Sequence, residues 1–198
     1  MTGAGGDMER LILHPGDYRV ADRPVVMSTL LGSCVAVCLY DPVKRVMGMN
    51  HFLLAERRHA EGTPLLASEA GRYGIHAMEL LVNDLLRKGA QRHRLEAKAF
   101  GGGNVIGSNC KSEDGFNCVG TNNVRFVRDF LERDRIPLVA ADLGGNQGRQ
   151  IHFSGNDYSV YVRQIPIKHN SKVIEQERLY WRRSLEDHKQ TKEEVDFW

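Results

Sequence analysis

The sequence predicts a single α+β domain, and three observations carry that prediction. Short apolar runs rich in β-branched residues, Pro24–Thr29, Cys34–Tyr40 and Val46–Leu54, follow one another through tight connections. Two longer segments, Ser68–Lys88 and Thr121–Arg133, repeat their apolar residues at helical spacing. A second group of strands, Ile136–Asp142, Gln150–Ser154 and Tyr158–Ile165, follows the second helix. At 198 residues the chain suits one domain that buries most of the surface its unfolded form exposes.

The elements follow in order from local signals. After a Gly-rich start, Leu11–Arg19 reads as a lead-in strand or loop. Gly32-Ser33 breaks the first strong strand and Asp41-Pro42 turns the second, so the first three strands are expected as an antiparallel meander. Glu56–Pro64 is polar and reads as a loop. In Ser68–Lys88 the residues Ile75, Met78, Leu81, Val82, Leu85 and Leu86 share a face, and Gly89 stands where a helix C-terminus favours glycine. Leu95–Phe100 is a strand ended by Gly101-Gly102-Gly103-Asn104, and Ile106–Asn117 reads as a variable loop. The second helix turns Val124, Val127, Phe130 and Leu131 inward. Residues 1–10 are expected as a flexible N-terminus, 11–167 as the domain, and 168–198 as a charged C-terminal extension. Within that extension Tyr180-Trp181-Arg182-Arg183 suggests a partner patch or a helix packed on the domain.

Composition narrows the function classes. Lys+Arg of 27 against Asp+Glu of 25 gives a formal charge of +2, which is no footprint for nucleic acid. No run of about 20 apolar residues is present, so no membrane-embedded helix is expected. The start lacks a basic region followed by an apolar one, and four cysteines do not make a disulfide scaffold. A cytoplasmic protein with reduced thiols is the expectation.

The chemistry is concentrated between Ser28 and His51. Cys34 follows a Gly-Ser turn at the mouth of an apolar strand, where a partly exposed thiol and free backbone N–H groups are expected. His51 arrives on the next strand, within reach if the strands are neighbours about 4.8 Å apart. Ser28 or Thr29 offers a hydroxyl to the other imidazole nitrogen. Spacing alone also allows Cys34 to be a small buried hydrophobe. A zinc site using Cys34, Cys38 and His51 is disfavoured, because residues four apart on a strand are about 13 Å apart. No metal is expected, and Cys38 reads as core. Cys110 and Cys118 read as free thiols or a redox-labile pair. Neither Gly101–Asn104 nor Leu143–Arg149 matches a phosphate-binding loop, and both read as turns that bring backbone close to a site. Tyr73 and Arg72 either line a substrate groove or are plain surface. The remaining histidines, His14, His59, His76, His93, His152, His169 and His188, are scattered.

The run Leu31-Gly32-Ser33-Cys34-Val35-Ala36-Val37 with Asn50-His51 resembles the CheD family of chemoreceptor glutamine deamidases. The likeness continues through Arg72-Tyr73-Gly74, Ala99-Phe100-Gly101-Gly102, Gly120–Asn123 and Gly144–Arg149. It implies an α/β/β sandwich similar to the catalytic domains of deamidating toxins. It implies hydrolysis of glutamine side chains on methyl-accepting chemotaxis receptors by a Cys-His-Thr triad, with no cofactor. Cys34 would be the nucleophile, His51 the base, and backbone N–H groups near Ser33 and Cys34 the oxyanion hole. The family's threonine position falls on Ser28; a register shift of one gives Thr29 the role. The resemblance also implies receptor cytoplasmic helices as partners, and a CheC-type phosphatase as a further one. A regulatory binding partner of that phosphatase is the alternative to an enzyme, and a cysteine protease keeps the same chemistry on a backbone amide.

Overall fold

The computed structural model describes residues 8–54, 66, 68–104, 119–165, 174–184 and 186. The expected loops at Glu56–Pro64 and Ile106–Asn117, with Cys110, Cys118, His59, His169 and His188, lie outside the described residues.

Strands β1 (Arg10–Ile12), β3 (Val26–Leu31), β8 (Gly148–Ser154) and β9 (Val160–Ile165) form a four-stranded sheet in the order β1-β3-β8-β9. Strands β2 (Tyr18–Ala21), β5 (Val46–Phe52), β4 (Val35–Asp41), β6 (Glu96–Gly101) and β7 (Leu138–Leu143) form a five-stranded sheet in that order. Helices α1 (Glu69–Arg87) and α2 (Val119–Arg133) cover one face of the five-stranded sheet. The other face meets the four-stranded sheet, which gives three layers, α/β/β.

Strand β4 shows how one stretch of sequence serves two cores. All seven of its residues are buried, and alternate side chains point to opposite faces. Val35, Val37 and Leu39 pack toward α1 and α2 with Phe52, Leu81 and Phe126. Cys34, Ala36, Cys38 and Tyr40 pack between the sheets with Met27, Met49 and Phe153. A strand buried on both faces reads as a continuous apolar run, as this one does. Cys38 lies in the inter-sheet core, where burial pushes its thiol pKa up.

The antiparallel meander holds for β4 and β5 and fails at β3. Strands β4 and β5 pair as an antiparallel hairpin. Strand β3 pairs instead with β1 in parallel and with β8 antiparallel, in the other sheet. The Gly32-Ser33 break is therefore a crossing between layers rather than a hairpin turn. Local apolar runs announce strands but carry no information about which sheet each one joins.

Helix α1 begins where its cap requires. The Ser68 side chain accepts a hydrogen bond from the Gly71 N–H, an N-terminal cap that satisfies one of the otherwise unpaired donors. Strands β6 and β7 are parallel neighbours joined through α2, a β-α-β unit that sets Gly101 and Leu143 side by side at one end of the sheet. Beyond β9, residues 174–184 form a further helix, α3. Trp181 of α3 is buried in the inter-sheet core, so this part of the C-terminal extension packs on the domain.

Asp41 locks the β4–β5 hairpin to the segment before β6. Its carboxylate accepts from the N–H groups of Val43, Lys44 and Gln91 and from the Arg94 guanidinium, which approaches to 2.8 Å. Burial would raise its pKa, but the hydrogen bonds from Arg94 and these N–H groups outweigh it and hold the group at about 2. The stabilisation is thus complete above the ordinary value of 3.8 and is lost as pH falls toward 2. Asp41→Ala leaves Arg94 and three partly buried backbone donors without their acceptor and should cost about 2 kcal/mol. Urea denaturation at pH 7 checks this as a lower midpoint with an unchanged slope.

Candidate active site

The layer crossing at Gly32-Ser33 is held from behind. The Gly102 N–H donates to the Cys34 carbonyl at 2.7 Å and the Gly103 N–H to the Gly32 carbonyl at 2.8 Å. The Asn123 amide donates to the Ser33 carbonyl at 2.8 Å, and its oxygen accepts from the Leu54 N–H. With all three carbonyls committed on one side, the N–H groups of Gly32, Ser33 and Cys34 gather on the other. That arrangement is an anion-binding concavity.

The glycine clusters build this support rather than a nucleotide site. Gly101 adopts φ +109, and a Cβ there would stand 2.2 Å from the Cys34 carbonyl oxygen. Buried Arg149 donates to the carbonyls of Gly101, Asp142 and Gly144, fastening the second glycine turn to the first. As expected of both clusters, they bring backbone close to a site.

His51 reaches the inter-sheet layer from β5, and Thr29 meets it from β3. The Thr29 hydroxyl donates to the Leu13 carbonyl at 2.7 Å and lies 2.8 Å from His51 Nδ1. A hydroxyl has one proton, and here the carbonyl takes it. Nδ1 must therefore carry a hydrogen and donate to Thr29, which leaves Nε2 with its lone pair. His51 Nε2 is buried and has no hydrogen-bond partner among the described residues. Burial, only partly offset by the Leu13 carbonyl, lowers the imidazole pKa to about 3. His76 and Tyr73 of α1 share with His51 the lining of a cavity of about 60 Å³.

Of the two candidate hydroxyls, Thr29 is the one brought to the imidazole. Ser28 turns to the other face of β3, where its hydroxyl sits 2.7 Å from His152 Nδ1. The available signal was parity: Thr29 shares its side of the strand with Met27 and Leu31, which are fully buried.

Cys34 differs from its expected exposure. It is fully buried, and a ligand atom from each of Cys34, His51 and Glu177 lies within 4.8 Å of the others. Glu177 comes from α3. Its Oε1 accepts from the N–H groups of Gly32 at 2.7 Å and Cys34 at 3.1 Å. Its Oε2 accepts from the Ser33 N–H and the Ser33 hydroxyl, both at 2.7 Å. Burial first, then the charge and hydrogen bonding of Glu177, pushes the Cys34 thiol well above its usual pKa. Tyr73, one of the proposed groove residues, meets Tyr180 of α3 at 2.5 Å between hydroxyls, whereas Arg72 is exposed.

Cys34, His51 and Glu177 are compact enough to hold a metal ion. The donor set argues otherwise, because the Glu177 carboxylate is already engaged by three backbone N–H groups, the Ser33 hydroxyl and the Cys34 thiol. Sequence reasoning missed Glu177 and the role of Asn123. Glu177 lies in a charged segment, and its signal was the i, i+4, i+7 spacing of Glu177, Trp181 and Ser184, all buried.

The class defined by this fold and site is an α/β/β sandwich with a cysteine and a histidine facing each other between its sheets. The chain belongs to the CheD family: the family model described as CheD chemotactic sensory transduction matches residues 53–164, more than half of it. It is 48% identical over 94% of its length to the probable chemoreceptor glutamine deamidase CheD 1 of Geobacter sulfurreducens, covering 92% of that protein. It is 46% identical over 89% of its length to the corresponding CheD 2 of Shewanella oneidensis, covering 88%. Among solved structures, a Neisseria meningitidis protein aligns with TM-score 0.40 and 12% identity over 70% of this chain and 63% of that one. Bacillus licheniformis YfiH aligns with TM-score 0.38 and 16% identity over 64% and 50%.

Two outcomes test this geometry. Gly101→Ala forces a side chain into the Cys34 carbonyl from a left-handed backbone and should destabilise the fold by about 2–4 kcal/mol, read by urea denaturation. His51, held at about 3 against an ordinary 6.5, refuses a proton that the unfolded chain takes. Stability should therefore be whole above pH 6.5 and fall as pH drops from there toward 3. His152, also lowered by burial and by Arg10 and Arg163, adds to the same slope. His51→Asn should make the slope between those pH values shallower.

Proposed function

We propose that this protein is a protein-glutamine deamidase acting on chemoreceptors, with Cys34 as nucleophile, His51 as base and Thr29 as the residue that orients the base. The observation that carries the reading is the tautomer. The Thr29–Leu13 hydrogen bond leaves the lone pair on His51 Nε2, and a ring nitrogen of this imidazole lies within 4.8 Å of the Cys34 thiol. The names of the relatives supply the substrate class, a chemoreceptor glutamine.

The reaction follows from those positions. His51 Nε2 takes the thiol proton, and sulfur adds to the carboxamide carbon. Negative charge develops on the carboxamide oxygen, toward the N–H groups of Gly32, Ser33 and Cys34. The imidazolium gives its proton to the departing ammonia. Water then hydrolyses the thioester, leaving glutamate and the restored thiol. Desolvation keeps the imidazole neutral, so it enters the cycle as a base.

Incubation with a glutamine-bearing receptor cytoplasmic fragment should add about 1 Da at defined glutamines, and Cys34→Ala should abolish the gain. Thr29→Val should slow the reaction about ten- to a hundredfold by freeing the imidazole, while Ser28→Ala leaves it within about twofold. No mass gain on any receptor fragment would remove the enzymatic reading and favour the regulatory partner of a CheC-type phosphatase.

A further inference from the structure

The thiol that must attack a substrate is fully buried, and the group that buries it is chemically specific. Glu177 is 1% exposed, yet its carboxylate is satisfied by three backbone N–H groups and one hydroxyl. Those N–H groups come from Gly32, Ser33 and Cys34, the donors that face a developing oxyanion. A glutamate side chain is also what remains when a glutamine has been deamidated. Helix α3 thus presents, on a helical face, the product of the reaction in the place where the product would form.

The docking is a built contact rather than one side chain lying on a surface. Glu177, Trp181 and Ser184 fall at i, i+4 and i+7 on the buried face of α3, with Tyr180 beside them. Trp181 is 3% exposed in the inter-sheet core, and the Tyr180 hydroxyl meets that of Tyr73. A Cβ on Gly32 would stand 2.8 Å from Glu177 Oε2, so the absence of a side chain here lets the carboxylate sit close against the backbone.

We infer that α3 is an intramolecular product analogue: it occupies the substrate's place in cis, and a receptor glutamine gains Cys34 only by displacing Glu177. This rests on the deamidase reading. Being tethered, α3 competes at an effective concentration on the order of millimolar. The carboxylate also acts on the nucleophile it covers. Its charge lies within reach of the thiol and opposes thiolate formation, so occupancy both blocks the site and quiets it.

The same placement makes residue 177 a substrate position. The Glu177→Gln variant would place a carboxamide close to Cys34, whose sulfur lies within 4.8 Å of a Glu177 carboxylate oxygen. Sulfur bonds to the carboxamide carbon, the carbon–nitrogen bond breaks, and ammonia leaves with a proton from His51. Water then cleaves the thioester to give Glu177 and free thiol. The variant would convert itself back to the natural sequence.

Three measurements on the full-length chain test this. Iodoacetamide should alkylate Cys34 slowly in the natural protein and roughly tenfold or more faster in Glu177→Ala. The same variant should deamidate a receptor fragment several-fold faster. Purified Glu177→Gln should gain about 1 Da at residue 177 over time, and Cys34→Ala in that background should stop the gain. Equal alkylation of the natural protein and Glu177→Ala would overturn the cover. Faster alkylation with unchanged or slower receptor deamidation would overturn the inhibition. A Glu177→Gln chain that stays unconverted, while Glu177→Ala deamidates receptors, would overturn the substrate-like placement. Faster alkylation with no deamidation by any variant, of receptor or of the glutamine introduced at position 177, marks a different failure: the deamidase reading falls, and the inhibitory role with it.

Discussion

The crossing of the chain from one sheet to the other at Gly32-Ser33 is the constraint on which this structure depends. A strand pair joined by an ordinary hairpin would spend its backbone groups on its own ladder. Here the chain leaves one layer and enters the next, and the three peptides of the crossing have no ladder to join. Their carbonyls are taken up by Gly102, Gly103 and Asn123. Their N–H groups are left facing one small volume. The crossing therefore produces a concentration of positive dipoles at the residue that carries the thiol. The supports that look decorative in the sequence, two glycine turns and an arginine, exist to let backbone approach backbone at that point.

The facing histidine depends on the second sheet in a complementary way. His51 and Thr29 lie on strands of different sheets, so their hydrogen bond spans the sandwich. Thr29 is fixed in turn by Leu13, just past β1, whose N–H bonds to the Ser28 carbonyl. The tautomer of the imidazole is thus set by how two layers are stacked and by one short edge strand. A threonine suits this position because branching at Cβ restricts its rotamer, which holds the hydroxyl between a carbonyl and a ring nitrogen. The cost is a buried imidazole whose second nitrogen has no partner among the described residues; on the proposed deamidase reading that nitrogen is the base and has to stay free.

Much of this was legible in the chain. Strands β3 to β9 and helices α1 and α2 fall within a few residues of their expected places, because apolar periodicity and the Gly89 signal are local. The LGSC turn with Asn50-His51 pointed to Cys34 and His51 through its likeness to the CheD family, whereas spacing alone also allowed Cys34 as a small buried hydrophobe. What could not be read was partnership across distance. Nothing local says that β3 leaves the sheet of β4, and so the meander was wrong there. The choice between Ser28 and Thr29 was decidable by parity with Met27 and Leu31, but only once one face of β3 was known to look inward. Glu177 was hidden further still. One acid among several in a charged extension carries no mark of the turn it caps 143–145 residues earlier in the sequence.

The energetics of that contact explain why a carboxylate, rather than a neutral side chain, is the cis occupant. Burying an anion costs several kcal/mol unless it is matched by donors, and an oxyanion hole is a set of donors already oriented and already desolvated. Such a hole binds full negative charge better than the neutral oxygen of a carboxamide, which is how it favours the transition state over the substrate. The same preference makes a product carboxylate the stronger ground-state ligand. On this reading an incoming glutamine cannot displace Glu177 through its amide alone. It has to arrive on a segment whose other side chains replace the burial of Trp181 and the contact between Tyr73 and Tyr180. Selectivity for a large structured substrate then follows from the occupant to be displaced, and not from the hydrolytic chemistry, which would serve any amide that reached the thiol.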